Sequence, residues 1–520
     1  MKTLIIESCF LSLLVAPLHV TAKKEIPKDK PNILFILSDD HTSQAWGIYG
    51  GIISQYVKNE NIRKLASEGC VLDNCFCTNS LCAPSRASII TGRYSQLNGV
   101  RLLEDALSPQ LPNIAKSLQS GGYQTGLVGK WHLKKEPTGF DYFAVFSGQG
   151  TYRNPIFKTK GNWVDDGKND KNVGEKTQGY STDIITDKVI KWIQERDKNK
   201  PFMMFCHFKA THEPWDYPER MKDLYKDVVF PEPSTLFEFG TEKTGRAFLG
   251  QTYETLAERF EKRNVIVKGS LKEPGFTTKG LDSVAARKKV YQRFMQDYLR
   301  CGAAIDDNIG RLLKTLDGEG IKDNTIVVYV SDQGYFMGEH GFMDKRIMYE
   351  EPLRMPFVIR YPKEIPAGTR NRDIILNVDF ASLLADYGGV EPPEGVQGIS
   401  FRENLNGHTP RNWRKEMYYR YWTQQIDRPA HIGIRNERYK LIFFYGDGLK
   451  TKELKFSTTP AWEFHDLKMD PTESKNTYNN PQYASIIKDM KKELLRLREQ
   501  YKDTDESTPR MKEIMDKYYW

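Results

Sequence analysis

The chain has 520 residues, 39% of them hydrophobic and 12% aromatic, enough for a sizeable core in one large or two unequal domains. Its net charge is +8 and its pI is near 8.8, but the two signs are mixed along the chain, and no basic–aromatic stripe marks a nucleic-acid binder. Mean hydropathy is −0.59, and beyond the N-terminus no apolar run is long enough to span a bilayer, so no transmembrane segment is expected.

Residues 1–22 read as an export signal. Lys2 supplies the charge, 9–20 is largely apolar, and Val20-Thr21-Ala22 offers a small-residue cleavage site before Lys23-Lys24. A secreted or periplasmic protein is expected. Beyond Cys9, the cysteines are Cys70, Cys75, Cys77, Cys82, Cys206 and Cys301. One bridge among Cys70, Cys75 and Cys77 would suit an oxidising compartment. Their spacing also resembles a metal cluster, but no nearby histidine completes a zinc pattern.

Residues 31–38 are a continuous apolar run, as expected for a strand buried on both faces of a parallel sheet. The run ends in Asp39-Asp40-His41, where open α/β sheets place ligands. Two adjacent carboxylates repel unless a cation lies between them, and hard divalent ions take such oxygens. A helix over 62–69 and a strand over 71–78 lead to Leu81-Cys82-Ala83-Pro84-Ser85-Arg86, which continues to Thr91-Gly92-Arg93. Pro84 fits a first helical turn. Cys82 then lies at the helix N-terminus, where free N–H groups favour negative charge, with Arg86 one turn on along the same face.

The spacing predicts a helix over 111–119, ended by Gly121-Gly122, and a strand over 123–128. That strand ends in Gly129-Lys130-Trp131-His132, where Lys130 and His132 alternate along an extended segment, so both side chains can point to one side. Residues 148–179, rich in Gly, Asn, Asp and Lys, read as a substrate-side loop. A helix over 182–197 and a strand over 201–208 lead to His212. Residues 217–280 have no clear period and read as an irregular insertion with short helices. A long helix over 283–316 contains Asp306-Asp307, which reads as a solvated or packing face because adjacent helical residues do not converge. A third apolar strand, 324–331, ends in Asp332-Gln333-Gly334 and completes an oxygen-ligand set with Asp39 and Asp40.

Then come Gly338-Glu339-His340-Gly341 and Asp344-Lys345-Arg346, and a further strand over 355–361. After about residue 368 the composition changes. A helix over 378–387 still reads as part of the first domain, with the crossing near 399–405. Short β patterns follow at 417–421, 431–435 and 439–444. Trp462 to Leu467 precedes Asp470-Pro471-Thr472-Glu473, and 482–501 is an amphipathic helix.

The run from Cys82 to Arg93 resembles the signature of the formylglycine-dependent sulfatases, of the alkaline-phosphatase-like superfamily. The likeness extends over nearly the whole mature chain, through Gly129-Lys130-Trp131-His132, Asp332-Gln333-Gly334 and the C-terminal Asp-Leu and Asp-Pro-x-Glu run. The run from Gly338 to Glu351 is similar to bacterial glycan sulfatases, including N-acetylglucosamine-6-sulfatases.

The resemblance implies an α/β fold: a large, mixed, mostly parallel sheet flanked by helices, with a smaller C-terminal α+β subdomain carrying an antiparallel sheet. The expected division is a signal at 1–22, a catalytic domain at 23–400 and a C-terminal subdomain at 401–520. It further implies that a maturation enzyme oxidises Cys82 to formylglycine, whose hydrate is the nucleophile, with Arg86 steadying it. Five cysteines would then remain, too few for a fully paired scaffold. Lys130, His132, His212 and Lys345 match sulfate-facing residues. Asp39, Asp40, Asp332 and Gln333, with the oxygen derived from Cys82, match the ligands of one divalent ion, and all-oxygen ligation favours calcium. Many family members carry Asn at the position of Gln333. His340 and Arg346 are candidates for the substrate side, and His340 is open to protonating a leaving group or contacting sugar. The expected activity is hydrolysis of sulfate monoesters of a carbohydrate, such as a glycosaminoglycan, mucin or algal glycan, with N-acetylglucosamine-6-O-sulfate among the candidates. The alternatives are a phosphonate or phosphate monoester hydrolase of the same superfamily and an inactive glycan-binding homologue.

Overall fold

A computed structural model of the chain describes residues 30–146, 148–164, 173–238, 252–266, 276–425, 428–448, 457–504 and 509–520. The expected signal at 1–22 lies outside these residues, as do parts of 148–179 and 217–280.

In chain order, the strands are β1 (Asn32–Asp39), β2 (Cys70–Leu72), β3 (Cys75–Phe76), β4 (Gln124–Gly129), β5 (Tyr142–Phe146), β6 (Ile156–Thr159), β7 (Glu175–Lys176) and β8 (Phe202–Thr211). There follow β9 (Thr325–Ser331), β10 (Phe357–Arg360), β11 (Thr369–Asn371), β12 (Ile375–Leu376), β13 (Glu416–Tyr421), β14 (His431–Asn436), β15 (Tyr439–Phe444) and β16 (Ala461–Asp466). Ten of them form one sheet in the order β11-β2-β10-β9-β1-β8-β4-β5-β6-β7. Its centre is parallel: β1 pairs with β9 and β8, and β4 with β8 and β5. Antiparallel pairs lie towards the edges, at β10 with β9 and β2, and at β5-β6-β7.

Both faces of the sheet are buried, which is why β1, β9 and the first half of β8 read as apolar runs. Alternate residues of β1 serve different cores. Ile33, Phe35 and Leu37 pack in one with Ile89 and Phe380, while Leu34 and Ile36 pack in the other with Ile185 and Ile309. Helices Cys82–Thr91 and Phe380–Gly388 therefore cover one face, and Ser181–Glu195 and Ser283–Gly318 the other. The C-terminal strands form a separate antiparallel sheet, β13-β14-β15-β16, against which helix Ala484–Gln500 packs. The α/β class with a smaller antiparallel sheet is as expected. No helix among the described residues is long and apolar enough to cross a membrane.

Several local readings change. The single strand expected over 71–78 divides at Asp73-Asn74: β2 joins the large sheet, and β3 pairs only with β12. Residues 148–179 are more than a loop, since they supply the edge strands β6 and β7. The insertion at 217–280 contains a helix, as expected, but one of 14 residues, Tyr253–Ile266. Asp306 is buried and accepts from Ile62 N (2.8 Å) and Asn61 N (3.0 Å), so it caps helix Glu60–Ser67, a packing role. The six described cysteines are free thiols, so Cys70, Cys75 and Cys77 form no bridge.

Candidate active site

The parallel pairing of β1 and β9 sets Ser38 opposite Ser331. The residues that follow, Asp39-Asp40 and Asp332-Gln333, therefore emerge side by side at the carboxyl edge of the sheet. Asp40 turns back with φ 61°, and its N–H donates to Asp332 Oδ1 at 3.1 Å. The Tyr298 hydroxyl (2.6 Å) and Thr211 Oγ1 (3.1 Å) both donate to its carbonyl, fixing that turn. Asp39, Asp40 and Asp332 each bring a carboxylate oxygen within 4.8 Å of the others, in a setting at most 1% exposed. Three buried carboxylates so close repel strongly unless cations stand among them.

Helix Cys82–Thr91 docks against this group by its first turn. Ser85 Oγ donates to the Asp332 carbonyl, and Asn377 Nδ2 donates to Ser85 Oγ at 2.9 Å. Arg86 Nε donates to Asp332 Oδ2 at 2.9 Å, Nη1 donates to the Lys130 carbonyl at 2.7 Å, and Nη2 lies 3.8 Å from Asp39 Oδ1. One guanidinium thus joins the ends of β1, β4 and β9, a use of the planar fork that lysine could not reproduce. Cys82 Sγ lies 3.3 Å from Lys345 Nζ and 3.7 Å from Gln333 Nε2. Lys345 also pairs with Asp40, and Lys130 with Asp39. His212 Nε2 is 3.8 Å from Asp40 Oδ2, and its ligand nitrogen, Cys82 Sγ and an Asp39 oxygen lie within 4.8 Å of one another.

The charges divide the carboxylates. Burial pushes Asp39 up, but Lys130, His212, Arg86 and Lys345 together outweigh it and hold Asp39 well below the usual carboxylate range. Burial and the Asp39 charge push Asp332 up to about 8 despite Arg86. Burial raises Asp40 too, against the pull of Lys345. Burial and Asp39 push the Cys82 thiol up to about 12 against the pull of Lys130 and Lys345, which makes an unmodified thiol a poor nucleophile there. Burial and then Lys130 hold His132 well below its ordinary value, and it sits at φ 61°.

The residues fit a hard divalent cation. Asp39 Oδ1 and Gln333 Oε1 are buried without a hydrogen-bond partner, and both are oxygens beside the carboxylate group. Gln333 Nε2 donates to Asp40 Oδ1. Turning that amide over would present Oε1 to the same place.

Nine of the residues singled out from the sequence therefore come together: Asp39, Asp40, Cys82, Arg86, Lys130, His132, His212, Asp332 and Gln333, with Lys345 beside them. His340 and Arg346 are engaged elsewhere. His340 Nδ1 pairs with Glu238 at 2.8 Å and its N–H donates to Thr235 Oγ1 at 3.0 Å, while Arg346 pairs with Asp344. Sequence reasoning missed Ser85, Asn377, Tyr298 and Lys209. Lys209 is buried in β8, and burial and Lys130 push it down to about 8. Its signal was legible: a lysine inside an otherwise apolar strand, two residues after His207.

The chain matches the sulfatase family over residues 31–390 and the family described as N-sulphoglucosamine sulphohydrolase, C-terminal, over 338–500. It is 39% identical over 513 residues to the N-acetylglucosamine-6-O-sulfatase of Bacteroides thetaiotaomicron, covering 92% of this chain and 88% of that protein. A solved protein in complex with its substrate D-glucosamine-2-N,6-O-disulfate superposes with a TM-score of 0.81 at 37% identity, covering 92% of this chain and 99% of the other. The phosphonate monoester hydrolase of Agrobacterium radiobacter shares the fold alone, with a TM-score of 0.66 at 19% identity over 91% of this chain and 96% of the other.

Proposed function

Because the chain belongs to the sulfatase family and hydrolyses sulfate esters of carbohydrates, we propose that its substrate is a 6-O-sulfated glucosamine, N-acetylglucosamine-6-O-sulfate foremost. The observation that carries the chemistry is the meeting of three carboxylates and two lysines around residue 82. The observation that carries the sugar is the 39% identity to an N-acetylglucosamine-6-O-sulfatase over nearly the whole chain.

In this reading a sulfate ester, already anionic, is met by positive charge fixed in advance. Lys130 and Lys345 are aligned by Asp39 and Asp40, so no reorganisation is needed as charge develops at sulfur. His132 and His212 complete the ring of donors around the sulfate oxygens. Arg86 touches no substrate; it locks the Cys82 helix to Asp332 and to the Lys130 backbone. Asp39, Asp40, Asp332 and Gln333 would hold one calcium ion, which supplies Lewis acidity beside residue 82. Conversion of Cys82 to formylglycine by a maturation enzyme supplies a hydrated aldehyde as nucleophile, splitting one hard displacement into two steps. His340 and Arg346 are assigned to the sugar side, each held in one orientation by Glu238 or Asp344. The division of the chain at residue 400 belongs to the same reading, with the catalytic residues before it. The charged and then apolar opening of the sequence supports export to the periplasm or beyond.

The test is sulfate release from N-acetylglucosamine-6-O-sulfate by enzyme co-expressed with a maturation system, alongside Cys82→Ala and with an aryl phosphate as comparison. Release by the first protein only, with sulfate ester preferred over phosphate, is expected. Equal release by both proteins, or preference for phosphate, would sink the reading.

A further inference from the structure

Strand β8 lies between β1 and β4, with Thr211 opposite Asp39 and His207 opposite Gly129. Lys209 therefore stands midway between the strand ends that carry Asp39 and Lys130. Its carbonyl accepts from His212 N at 3.1 Å, and the His212 carbonyl accepts from the Tyr152 hydroxyl at 2.6 Å. Lys209 Nζ lies 5.3 Å from the centre of the Tyr152 ring, at this same turn, whose His212 Nε2 is 3.8 Å from Asp40 Oδ2. The charges that act on Lys209 are those of the site. Burial and Lys130 disfavour its ammonium form, and Asp39, Asp40 and Cys82 favour it. Lys209 adds to burial and Lys130 in holding His132 and His212 below their ordinary values.

The balance of charge isolates this lysine. Asp39 is paired with Lys130, Asp40 with Lys345 and Asp332 with Arg86, so three carboxylates are met by three cations. Lys209 is a fourth cation, 3% exposed, and among the described residues its Nζ has neither a hydrogen bond nor a carboxylate partner. The Tyr152 face attracts an ammonium but carries no charge to neutralise it. A buried charge without a partner is destabilising. Elsewhere in the fold buried cations are matched, as Arg420 is by Asp503 and Arg414 by Asp379. The missing partner of Lys209 is an anion that enters with the ligand.

We propose that Lys209 is a binding residue for the sulfate group, and that it acts most strongly on the released product. The ester carries one negative charge and inorganic sulfate two, so a fixed cation holds the product with about twice the Coulomb energy. Lys209 thereby links tight capture of the substrate to slow release of sulfate. This rests on the sulfate-ester chemistry above and is independent of the sugar.

The test is calorimetric titration of the mature, calcium-loaded enzyme, Lys209→Met and Lys209→Gln with inorganic sulfate and with methanesulfonate, at constant ionic strength. The two ions share a tetrahedral shape and differ in charge, two against one. Methionine keeps the unbranched stem, and glutamine is a second neutral replacement should the first fail to fold. Each variant is expected to bind sulfate about tenfold more weakly and methanesulfonate about threefold, because half the charge gives half the energy and so the square root of the factor. Sulfate affinity within about twofold of wild type in the variants overturns the proposal. Equal weakening of both ions overturns it too, since a merely distorted site does not distinguish their charge. No sugar enters these titrations. Failure of the wild type to cleave N-acetylglucosamine-6-O-sulfate would therefore sink the sugar assignment alone, and the two ions would still decide for or against Lys209.

Discussion

Asp39 stands among charges of both signs. It pairs with Lys130, lies 3.8 Å from Arg86 and shares its oxygens with Asp40 and Asp332. Asp39→Asn removes the charge on which both flanking cations and a bound divalent ion depend. We expect kcat to fall by about 10²–10³, the scale seen when one preorganised electrostatic group is lost. Metal content measured on the purified protein should fall with it. Retained metal and kcat within threefold of wild type would place the cation elsewhere. At this scale much of the site was legible, because each acidic or basic residue stood at the end of an apolar run or inside a specific motif. Ser85, Asn377 and Tyr298 were not. Their work is a hydrogen bond to a residue far away in sequence, such as Asp332 or Asp40, and no local pattern records it. His340 illustrates the converse: its motif drew attention, but its partner Glu238 lies in a segment without period.

At the scale of elements, helix Glu350–Leu353 ties the two sheets together through one carboxylate. Glu350 accepts from Arg435 Nε and Nη2, both at 3.1 Å, lies 3.0 Å from Lys440 Nζ, and pairs with Arg354 at 2.7 Å. Burial pushes it up, but Arg435, Lys440 and Arg354 outweigh burial and hold it well below the usual carboxylate range. A depressed folded pKa means stability that is full above the unfolded value, about 4.3, and is lost as pH falls through the folded one. Glu350→Gln should therefore cost about 3 kcal/mol at pH 7, as for a broken buried pair, and the gap from wild type should close as pH drops below about 4. Urea melts across that range check it; a gap that stays constant with pH would show that the charge contributes nothing. Strand direction was the least legible element property. The antiparallel pairing of β10 with β9 and the two-residue pair β3-β12 follow from where the chain returns, and local composition is the same either way.

At the scale of the molecule, the C-terminal sheet acts as a buttress for the segment before Cys82. Tyr419 accepts from Ser80 N and donates to the Arg346 carbonyl, so one hydroxyl holds both the approach to Cys82 and the residue after Lys345. Tyr419→Phe leaves a buried N–H unpaired and should cost about 1–3 kcal/mol in urea unfolding. Activity should fall too, because residues 82 and 345 lose a common support. A variant destabilised but fully active would make the second sheet a passive neighbour. A large sheet covered on both faces could be read from the unbroken apolar runs of β1 and β9, and the small sheet from short β patterns separated by turn residues. How the small sheet touches the first domain could not, because it depends on single atoms meeting across the junction.

The most direct measurement is the rate of sulfate release plotted against the fraction of residue 82 converted to formylglycine. Preparations made with graded amounts of the maturation enzyme supply the range, and peptide mass spectrometry supplies the fraction. A rate proportional to that fraction, and zero for Cys82→Ala, is expected. A rate independent of the fraction would contradict it.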